Sequence, residues 1–548
     1  MSTERPGDSS TPQSPRRPPN RQLAALIAEA GFSHAGLARR VDQLGLEHGL
    51  DLRYDKTSVT RWLRGQRPRG TTPALIAEVF TRRLGRRLSA RDLGLEACAP
   101  VYAGLEFAAG PHEAVEIVSG LWRKDTGGYA ELRRIAFTPA GLVVPSRDWL
   151  IGRPDERVSR GVPAPGGPGA PLGDRVDRAA RVPEQGRGAG GRVPPGHGGP
   201  GTGPAHAVPG VPAPLAIGAR GGAVPAGRDP VERGPGRRVT AGDLAALRSV
   251  AELFRTLDHA YGGGHARQAL IRYLEHELEP LLRGTYGEQM GRRLFGAAAD
   301  LTRLAGWTAY DIGAHGLAQR YFVQALRLSQ AAGDRVHGAF VLAAMSRQAA
   351  HLGHGREAVQ LARVAQQGLS GTAPQQVHAL LHAAEARGHA LLGDARSCTA
   401  ALARAERAME IVRPGERNGE RSGERPGEDV PPWIRFFDEA QLADEFAHCH
   451  RDLQQYRSAA RYADRALQLR APAYARSRLF TRVVLATARL GLGEVEQACV
   501  LAAEAAQQAV EMRSVRAHEY LRDFERRLEP HRDTTAARSY RERISATG

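Results

Sequence analysis

The feature that most constrains the fold is a recurrence of about 40 residues in the C-terminal half of the chain. Small or apolar residues recur at i, i+4 and i+7 in five segments, and the first residue of each segment is called its anchor: Ala318, Ala358, Cys398, Ala459 and Ala498. The anchors are separated by 40, 40, 61 and 39 residues. Such a period predicts stacked helical hairpins, because one hairpin cannot bury its own apolar face.

A tight turn is predicted before each anchor. Gln454 stands five residues before one anchor, and glycine occupies the same position before the other four: Gly313, Gly353, Gly393 and Gly493. Glycine suits a turn between paired helices because it has no Cβ atom. The pattern predicts a mainly α chain in which residues 239–530 form a tetratricopeptide-like (TPR-like) α-solenoid. Its concave face is expected to bind an effector or an unknown protein or peptide.

One aromatic and basic cluster in the first clear repeat is a candidate for that face. Two of its members, Trp307 and Tyr310, are spaced i, i+3, and this spacing also fits a helix core. The other members are His315, Arg320 and Tyr321. The face of the solenoid therefore stays open at this point.

The segment from Asp55 to Gly65 predicts the recognition helix of a helix-turn-helix. Asp55 is a suitable N-cap and Gly65 stands where the helix would end. Apolar residues share one face of this helix, and the other positions carry hydroxyls and cations that a DNA major groove accepts. The predicted DNA-reading residues are Lys56, Thr57, Ser58, Thr60 and Arg61.

The charge around this helix favours nucleic acid as a partner. From Lys56 to Arg91 the chain has ten Lys or Arg and one acid, Glu78. Neutralising phosphates with such cations is the dominant non-specific term in DNA binding. We assign Arg64, Arg67 and Arg69 to phosphate contacts. The alternative for Arg82 to Arg87 is that they solvate a surface helix.

Two further helices are predicted upstream, from Gln22 to Gly31 and after Ser33, which would cap the second. Residues 45–54 are an insertion, since 21 residues separate Ala38 from Val59, about twice the spacing of a compact helix-turn-helix. Helices over 72–84 and 89–95 would complete a five-helix domain spanning residues 20–97.

The rest of the chain divides into a small unit, a linker and tails. Residues 100–158 predict a small α+β unit, with one helix from Pro111 to Asp125 and strands over 135–137, 142–144 and 149–151. Residues 159–238 are dominated by Gly, Pro, Ala, Arg and Val and predict a disordered linker. A second explanation is GC-rich DNA translated out of frame. Residues 1–19 and 531–548 are predicted tails, the first of them disordered.

The sequence gives little support for catalysis or for a resident cofactor. It contains no phosphate-binding GxxxxGK[ST] motif, no HExxH and no GxSxG, so we expect no catalytic residue, no cofactor and no metal. Residues 262–268 are Gly-rich and either cradle an anion or form an interhelix turn, which we favour. The four scattered cysteines fit reduced thiols of a cytoplasmic protein, and no apolar run is long enough to span a membrane.

Several long motifs resemble one family of actinobacterial proteins, the streptomycete regulators that restrain sporulation and antibiotic production. The resemblance covers residues 20–158 and 238–530. It is carried by the segments GLARRVDQLGLEHG from Gly36, YDKTSVTRWLRG from Tyr54, FTPAGLVVPSRDW from Phe137, YGGGHAR from Tyr261 and LTRLAGW from Leu301. It implies a cytoplasmic negative regulator of development with an N-terminal helix-turn-helix and C-terminal TPR-like repeats.

Two classes of function follow. The first is a transcription regulator that binds duplex DNA, and that we expect to be a homodimer, since one small domain contacts few base pairs. The second is a TPR adaptor that binds no DNA and in which the basic patch is incidental. Salt-sensitive DNA binding would discriminate between them.

Overall fold

The computed structural model describes residues 19–47, 52–68, 72–86, 88–95, 105–126, 135–161, 237–369, 373–412 and 430–547. Within these ranges the protein is mainly helical and contains no β-strand, only isolated bridges such as that between Arg160 and Tyr286. The predicted mainly α class is therefore confirmed. The predicted linker lies outside the described ranges apart from its ends, and so does the N-terminal tail apart from residue 19.

Four helices form the N-terminal domain: α1 (Arg21–Ala30), α2 (His34–Glu47), α3 (Lys56–Leu63) and α4 (Thr72–Leu84). The predicted caps are confirmed, since Ser33 Oγ accepts a hydrogen bond from Gly36 N at 3.0 Å and Asp55 Oδ1 accepts one from Ser58 N at 2.8 Å. These caps satisfy backbone donors that a helix start leaves unpaired. The four helices bury a common apolar cluster that includes Leu37 and Phe80.

The predicted fifth helix over 89–95 is wrong. Residues 90–94 form turns, and the Asp92 carboxylate accepts hydrogen bonds at 2.7 Å from both the backbone N and the hydroxyl of Ser89. Gly94 then adopts a positive φ of 64°. This local hydrogen bonding offers the backbone an alternative to a helix.

The predicted strands over 135–137, 142–144 and 149–151 are wrong as well. Residues 135–137 have no regular structure, and a 3-10 helix (Pro139–Leu142) leads into α6 (Val143–Ile151), which follows α5 (Pro111–Thr126). The buried residues are Leu142, Pro145, Ser146 and Trp149. Their spacing of i, i+3, i+4 and i+7 is helical, so tertiary burial follows a helical period and not the short apolar runs.

The array begins with α7 (Ala241–Tyr261) and α8 (Gly263–Tyr273), which a π-helical turn (Leu274–Leu278) and a short helix (Glu279–Leu282) extend. Six hairpins follow: α9 (Glu288–Asp311) with α10 (His315–Ala332), α11 (Arg335–His351) with α12 (Gly355–Gln367), α13 (Gln375–Leu391) with α14 (Ala395–Val412), α15 (Glu439–Asp452) with α16 (Tyr456–Leu469), α17 (Ala475–Gly491) with α18 (Val495–Val510), and α19 (Val515–Leu528) with α20 (Thr535–Thr547). Consecutive helices pack on one another as in helical repeats. None of the described helices is both long and apolar enough to span a membrane.

The packing extends beyond both predicted ends of the array. Val115, Trp122 and Trp149 of the predicted small unit belong to the same apolar cluster as Phe295 and Leu317 of the array. In the predicted C-terminal tail, α20 buries Ala537 and Tyr540 against the last hairpins. Both segments therefore contribute to the core of the array.

In the structure every anchor of the predicted repeat lies on the second helix of a hairpin. Each of the five anchors is 0% exposed. The four predicted turn glycines have φ between 72° and 83°, and Gln454 adopts a φ of 59° in the same position. Gln454 is the one non-glycine residue with positive φ in the ranges given above. The turn conformation therefore persists where glycine is lost.

The two ends of the array contact each other. Arg476 of α17 donates two hydrogen bonds to the Asp258 carboxylate of α7, at 2.5 and 2.7 Å. Arg516 of α19 lies 3.4 Å from Asp311 at the end of α9. The backbone N of Gly264 donates to Arg513 O at 2.8 Å. These contacts join the first helices of the array to its last ones.

Candidate functional site

The polar face of α3 is the candidate nucleic-acid interface. Its apolar face is fixed in the domain, with Val59 0% and Trp62 4% exposed. The Tyr54 ring meets the Trp62 ring edge-on at 5.0 Å, and its hydroxyl lies 2.8 Å from Thr72 Oγ1. Tyr54 N also donates to Asp42 at 2.9 Å, so the described end of the insertion is tied to α2.

The described residues that were predicted to contact DNA divide into an exposed group and a group whose hydroxyls are engaged within the domain. Lys56, Thr57 and Arg61 are exposed on α3, and Arg64 and Arg67 are exposed just after it. These five residues lie on α3 or within four residues after its end. They can present four cations and the hydroxyl of Thr57 to an anionic partner.

Two predicted residues serve the helix itself. Ser58 is 6% exposed, and its hydroxyl donates to Asp55 Oδ1 at 2.8 Å while Arg61 donates to it at 3.3 Å. Thr60 is half-buried and donates to Lys56 O at 2.8 Å. Their hydroxyls are therefore engaged in intramolecular bonds. Arg69, the remaining predicted residue, lies outside the described ranges.

Asp55 carries negative charge at the start of α3. The pKa of the Asp55 carboxyl is lowered, first by a hydrogen bond from the backbone of Ser58 and then by one from its side chain. The charge of Arg61 adds to this effect. A carboxylate at a helix N-terminus also meets the positive end of the helix dipole. Asp55 thus fixes the start of the helix at neutral pH.

The basic residues at the end of α4 and just after it have intramolecular partners. Arg82 pairs with Glu78 at 2.9 Å, Arg86 pairs with Glu29 at 2.8 Å, and Arg83 donates to Ala30 O at 3.1 Å. These bonds favour the alternative of a surface-helix role for these arginines. The candidate interface therefore centres on α3.

A second candidate site is a cavity between helices of the array, here called the array cavity. Five arginines line it: Arg255, Arg303, Arg347, Arg476 and Arg516. Six aromatic residues line it as well: Trp307, Phe340, Trp433, Phe436, Phe480 and Tyr520. Of the residues that the sequence suggested for this face, Trp307 lies there. Tyr310, Arg320 and Tyr321 are buried, and His315 lies in a neighbouring pocket.

The Gly-rich turn between α7 and α8 is occupied by the protein itself. Gly263 N donates to the Asp311 carboxylate at 2.8 Å, and Gly264 N donates to Arg513 O. The position that an anion would take at this helix N-terminus is therefore filled by an internal carboxylate. This agrees with the interhelix-turn interpretation.

Three possible metal ligands come together from distant parts of the array. The ligand atoms of His315, His351 and Glu519 lie within 4.8 Å of one another. However, His351 Nε2 already lies 2.9 Å from Glu519 Oε2, and burial together with the nearby charges of Arg516 and Arg387 lowers the pKa of His351. This positive surrounding disfavours a further cation.

Comparison with known proteins finds one match. Residues 23–96 match the family described as the SP15 N-terminal domain, a range that covers most of α1 and the whole of α2 to α4. No curated protein and no solved structure matches the chain. The N-terminal domain is therefore similar to a recognised domain family, and this match extends over less than one sixth of the chain.

Proposed function

We propose that this protein is a transcription regulator that binds duplex DNA through α3 of a helix-turn-helix domain, with the TPR-like array binding an effector or partner. One observation carries the proposal. The apolar face of α3 is buried, while Lys56, Thr57 and Arg61 remain exposed on the opposite face. A recognition helix needs this combination, because it must be held rigidly while its polar residues enter the major groove.

The two kinds of exposed residue suit different parts of a DNA duplex. Arg61 can donate two hydrogen bonds to a guanine edge, and the Thr57 hydroxyl can donate or accept at a base edge. Arg64 and Arg67, after α3, suit phosphate contacts, which fix position without reading sequence. Ser58 is excluded from base contact in this proposal because its hydroxyl completes the cap of α3.

The direction of regulation is proposed from the family resemblance. Its long motifs, in the N-terminal domain and in the array, support a cytoplasmic repressor of sporulation and of antibiotic production. The proposal assigns no catalytic step and no cofactor to the chain. A homodimer would place two α3 helices on a paired site, as small major-groove readers require for specificity.

The test is binding of the full chain to fragments of its own genomic DNA at several salt concentrations. The proposal expects a linear loss of log affinity with log salt, since phosphate contacts release counterions. Arg61→Ala should cost about 1–3 kcal/mol on the selected site. The triple variant Lys56→Ala, Thr57→Ala, Arg61→Ala should abolish sequence preference.

Arg82→Ala is the matched control, because it removes an exposed arginine that is paired with Glu78 on α4. It should leave affinity nearly unchanged. Equal DNA affinity of the wild type and the triple variant at every salt concentration would refute the assignment. That result, together with capture of a protein partner by the array, would favour the adaptor alternative. Light scattering of the DNA-free chain tests the homodimer.

A further inference from the structure

The array cavity is formed by helices that are far apart in the sequence. The first helix of each hairpin from α9 to α19 contributes to its wall, together with α7 and the segment before α15. The contacts between α7 and α17 close it on one side. The cavity is partly enclosed by these helices and partly open to solvent. A space of this kind suits a small molecule better than a folded partner.

One wall of the array cavity is aromatic. The rings of Phe340 and Trp433 stack with centroids 4.7 Å apart and planes 21° apart. The rings of Phe480 and Tyr520, which also line the cavity, lie 4.7 Å apart. Trp307 lines the cavity as well. Flat aromatic surfaces of this kind favour an unsaturated or aromatic ligand body, which can stack on them.

The array cavity is also positively charged, in addition to being aromatic. Its five arginines face two lining carboxylates, Asp258 and Asp444. Asp258 is fully engaged by Arg476. Asp444 accepts a hydrogen bond from Thr481 at 2.5 Å and lies 3.8 Å from His448. Three further carboxylates, Asp300, Asp311 and Glu445, pair with lining arginines without lining the cavity themselves. Their pairings determine which arginines are available to a bound anion.

Those pairings leave two arginines under-compensated. Asp300 lies 2.7 Å from Arg255 and 3.8 Å from Arg303. Asp311 lies 3.4 Å from both Arg476 and Arg516. Glu445 is shared by Arg347 and Arg387. Arg303 therefore has one ion pair, at 3.8 Å, and Arg347 shares its carboxylate with Arg387, a second, half-buried arginine.

The surroundings of Arg303 and Arg347 confirm this imbalance. Arg303 is 5% exposed, its Nε has no hydrogen-bond partner, and its guanidinium lies 4.4 Å from the centre of the Phe340 ring. Burial lowers the pKa of Arg303 to about 10, and burial together with the charge of Arg387 lowers the pKa of Arg347 to about 10. Both guanidinium groups would gain from an anion placed beside them.

We infer that the array cavity binds a small organic anion with a flat, unsaturated or aromatic body. The anionic group lies against Arg303 and Arg347, and the body packs against the lining aromatic residues, among them Trp307 and Trp433. Asp444 orients the ligand by repelling its anionic end from α15. In naming the effector class, the inference rests on the proposed function of the array. Binding itself requires no DNA.

The test uses two fluorescent probes that differ in one group, on the full chain without DNA. 8-Anilinonaphthalene-1-sulfonate is a flat aromatic anion, and N-phenyl-1-naphthylamine is its uncharged counterpart. The anion should bind at one site, with quenching of tryptophan emission from Trp307 and Trp433. It should bind at least about tenfold more tightly than the neutral probe. Because DNA is absent, failure here is distinct from failure of DNA binding.

Variants locate the site. Arg303→Gln should weaken binding of the anion by about tenfold or more while binding of the neutral probe changes little. Arg303→Lys should restore part of that affinity, and Trp433→Ala should weaken both probes. Arg327→Gln is the matched control, since Arg327 is a buried arginine paired with Asp155 outside the cavity.

Circular dichroism establishes that each variant is folded. If Arg303→Gln does not fold, Arg347→Gln and Trp433→Ala make the same test. Equal affinity for the two probes would overturn the inference. So would wild-type affinity of the anion for folded Arg303→Gln, or for Arg347→Gln and Trp433→Ala where they replace it.

Discussion

Arginine has opposite roles in the N-terminal domain and in the array. Among the described residues of the N-terminal domain, the buried polar side chains are those of Ser58 and Thr72, and the arginines lie at the surface. The array buries many: Arg267, Arg303, Arg320, Arg327, Arg470, Arg476 and Arg516. The net charge of +17 therefore overstates the charge that a polyanion could contact.

The difference also concerns how each region is stabilised. The N-terminal domain relies on an apolar cluster with capped helices. The array adds buried ion pairs that join its two ends, and a buried charge is costly when it loses its partner. Changes to charge should therefore affect the stability of the array strongly and that of the N-terminal domain weakly.

The largest effect is expected from removing a closing carboxylate. Asp311 accepts a hydrogen bond from Gly263 N and lies 3.4 Å from both Arg476 and Arg516. Asp311→Asn leaves these buried guanidinium groups under-compensated and should cost about 3–5 kcal/mol. Urea unfolding followed by circular dichroism measures the loss.

The matched control is Glu29→Gln, which breaks the exposed pair with Arg86 in the N-terminal domain. It should cost less than about 1 kcal/mol. DNA affinity should survive Asp311→Asn at temperatures where the N-terminal domain remains folded. Similar losses from the two substitutions would contradict the comparison drawn above.

A second effect should appear on acidification. Burial lowers the pKa of His259 to about 4, and burial followed by the charge of His351 lowers the pKa of His315 to about 4. Both values lie below the unfolded value of about 6.5, so the unfolded chain binds more protons. Stability should fall as pH decreases from about 6.5 to 4, by about 3 kcal/mol for each imidazole.

Thermal unfolding between pH 7 and pH 4 tests this expectation. His259→Gln should reduce the pH dependence relative to the wild type, although it can lower stability at pH 7. The transition of the N-terminal domain should respond less, since the buried polar residues found there are Ser58 and Thr72. An unchanged pH dependence in His259→Gln would show that this imidazole is not the titrating group.

A smaller loss is expected from overpacking one repeat. Ala358 is 0% exposed on α12, and Ala358→Leu should cost about 1–3 kcal/mol because the extra atoms displace neighbouring helices. Gln360→Leu places leucine at an exposed position of the same helix, where it overpacks nothing, and serves as control. An unchanged melting temperature in Ala358→Leu would contradict the repeat register.

The smallest effect should be a gain. Gln454 holds a φ of 59°, which is unfavourable for a residue with a Cβ atom. Gln454→Gly should stabilise the array by about 0.5–1 kcal/mol after the extra freedom of the unfolded chain is counted. The reciprocal change, Gly353→Gln, should destabilise the array, because Gly353 has a φ of 82°. An added Cβ would meet nothing within 4 Å, so the loss would come from the backbone conformation and not from a clash. Chemical denaturation of the pair isolates the backbone term.

The sequence was sufficient to predict features that depend on local spacing. The caps at Ser33 and Asp55, the anchors on second helices and the turns before them all follow from short-range patterns. The strands predicted over 135–137, 142–144 and 149–151 were wrong, because short apolar runs do not show which residues are buried. The residues that are buried follow a helical period. Here tertiary burial on the array decided the structure.

The array cavity could not be predicted in this way. Its residues come from α7 to α19, and no spacing in the sequence indicates that Asp258 meets Arg476. Arginine is frequent throughout the chain, so composition does not separate Arg303 from the exposed arginines. Ser58 shows the same limit within the N-terminal domain, since its type suits DNA but its hydroxyl completes a cap.

The contact between the two ends of the array has a consequence for synthesis of the chain. Asp258 and Arg476 are 218 residues apart. At the usual pace of translation, roughly 10–45 s pass between them, and during that time Asp258 has no arginine from α17 to pair with. Hairpins that have already emerged can pack locally, but the cavity stays open on one side. A nascent chain that stops before α17 therefore cannot form the site, so that ligand binding is restricted to chains whose translation has passed this point.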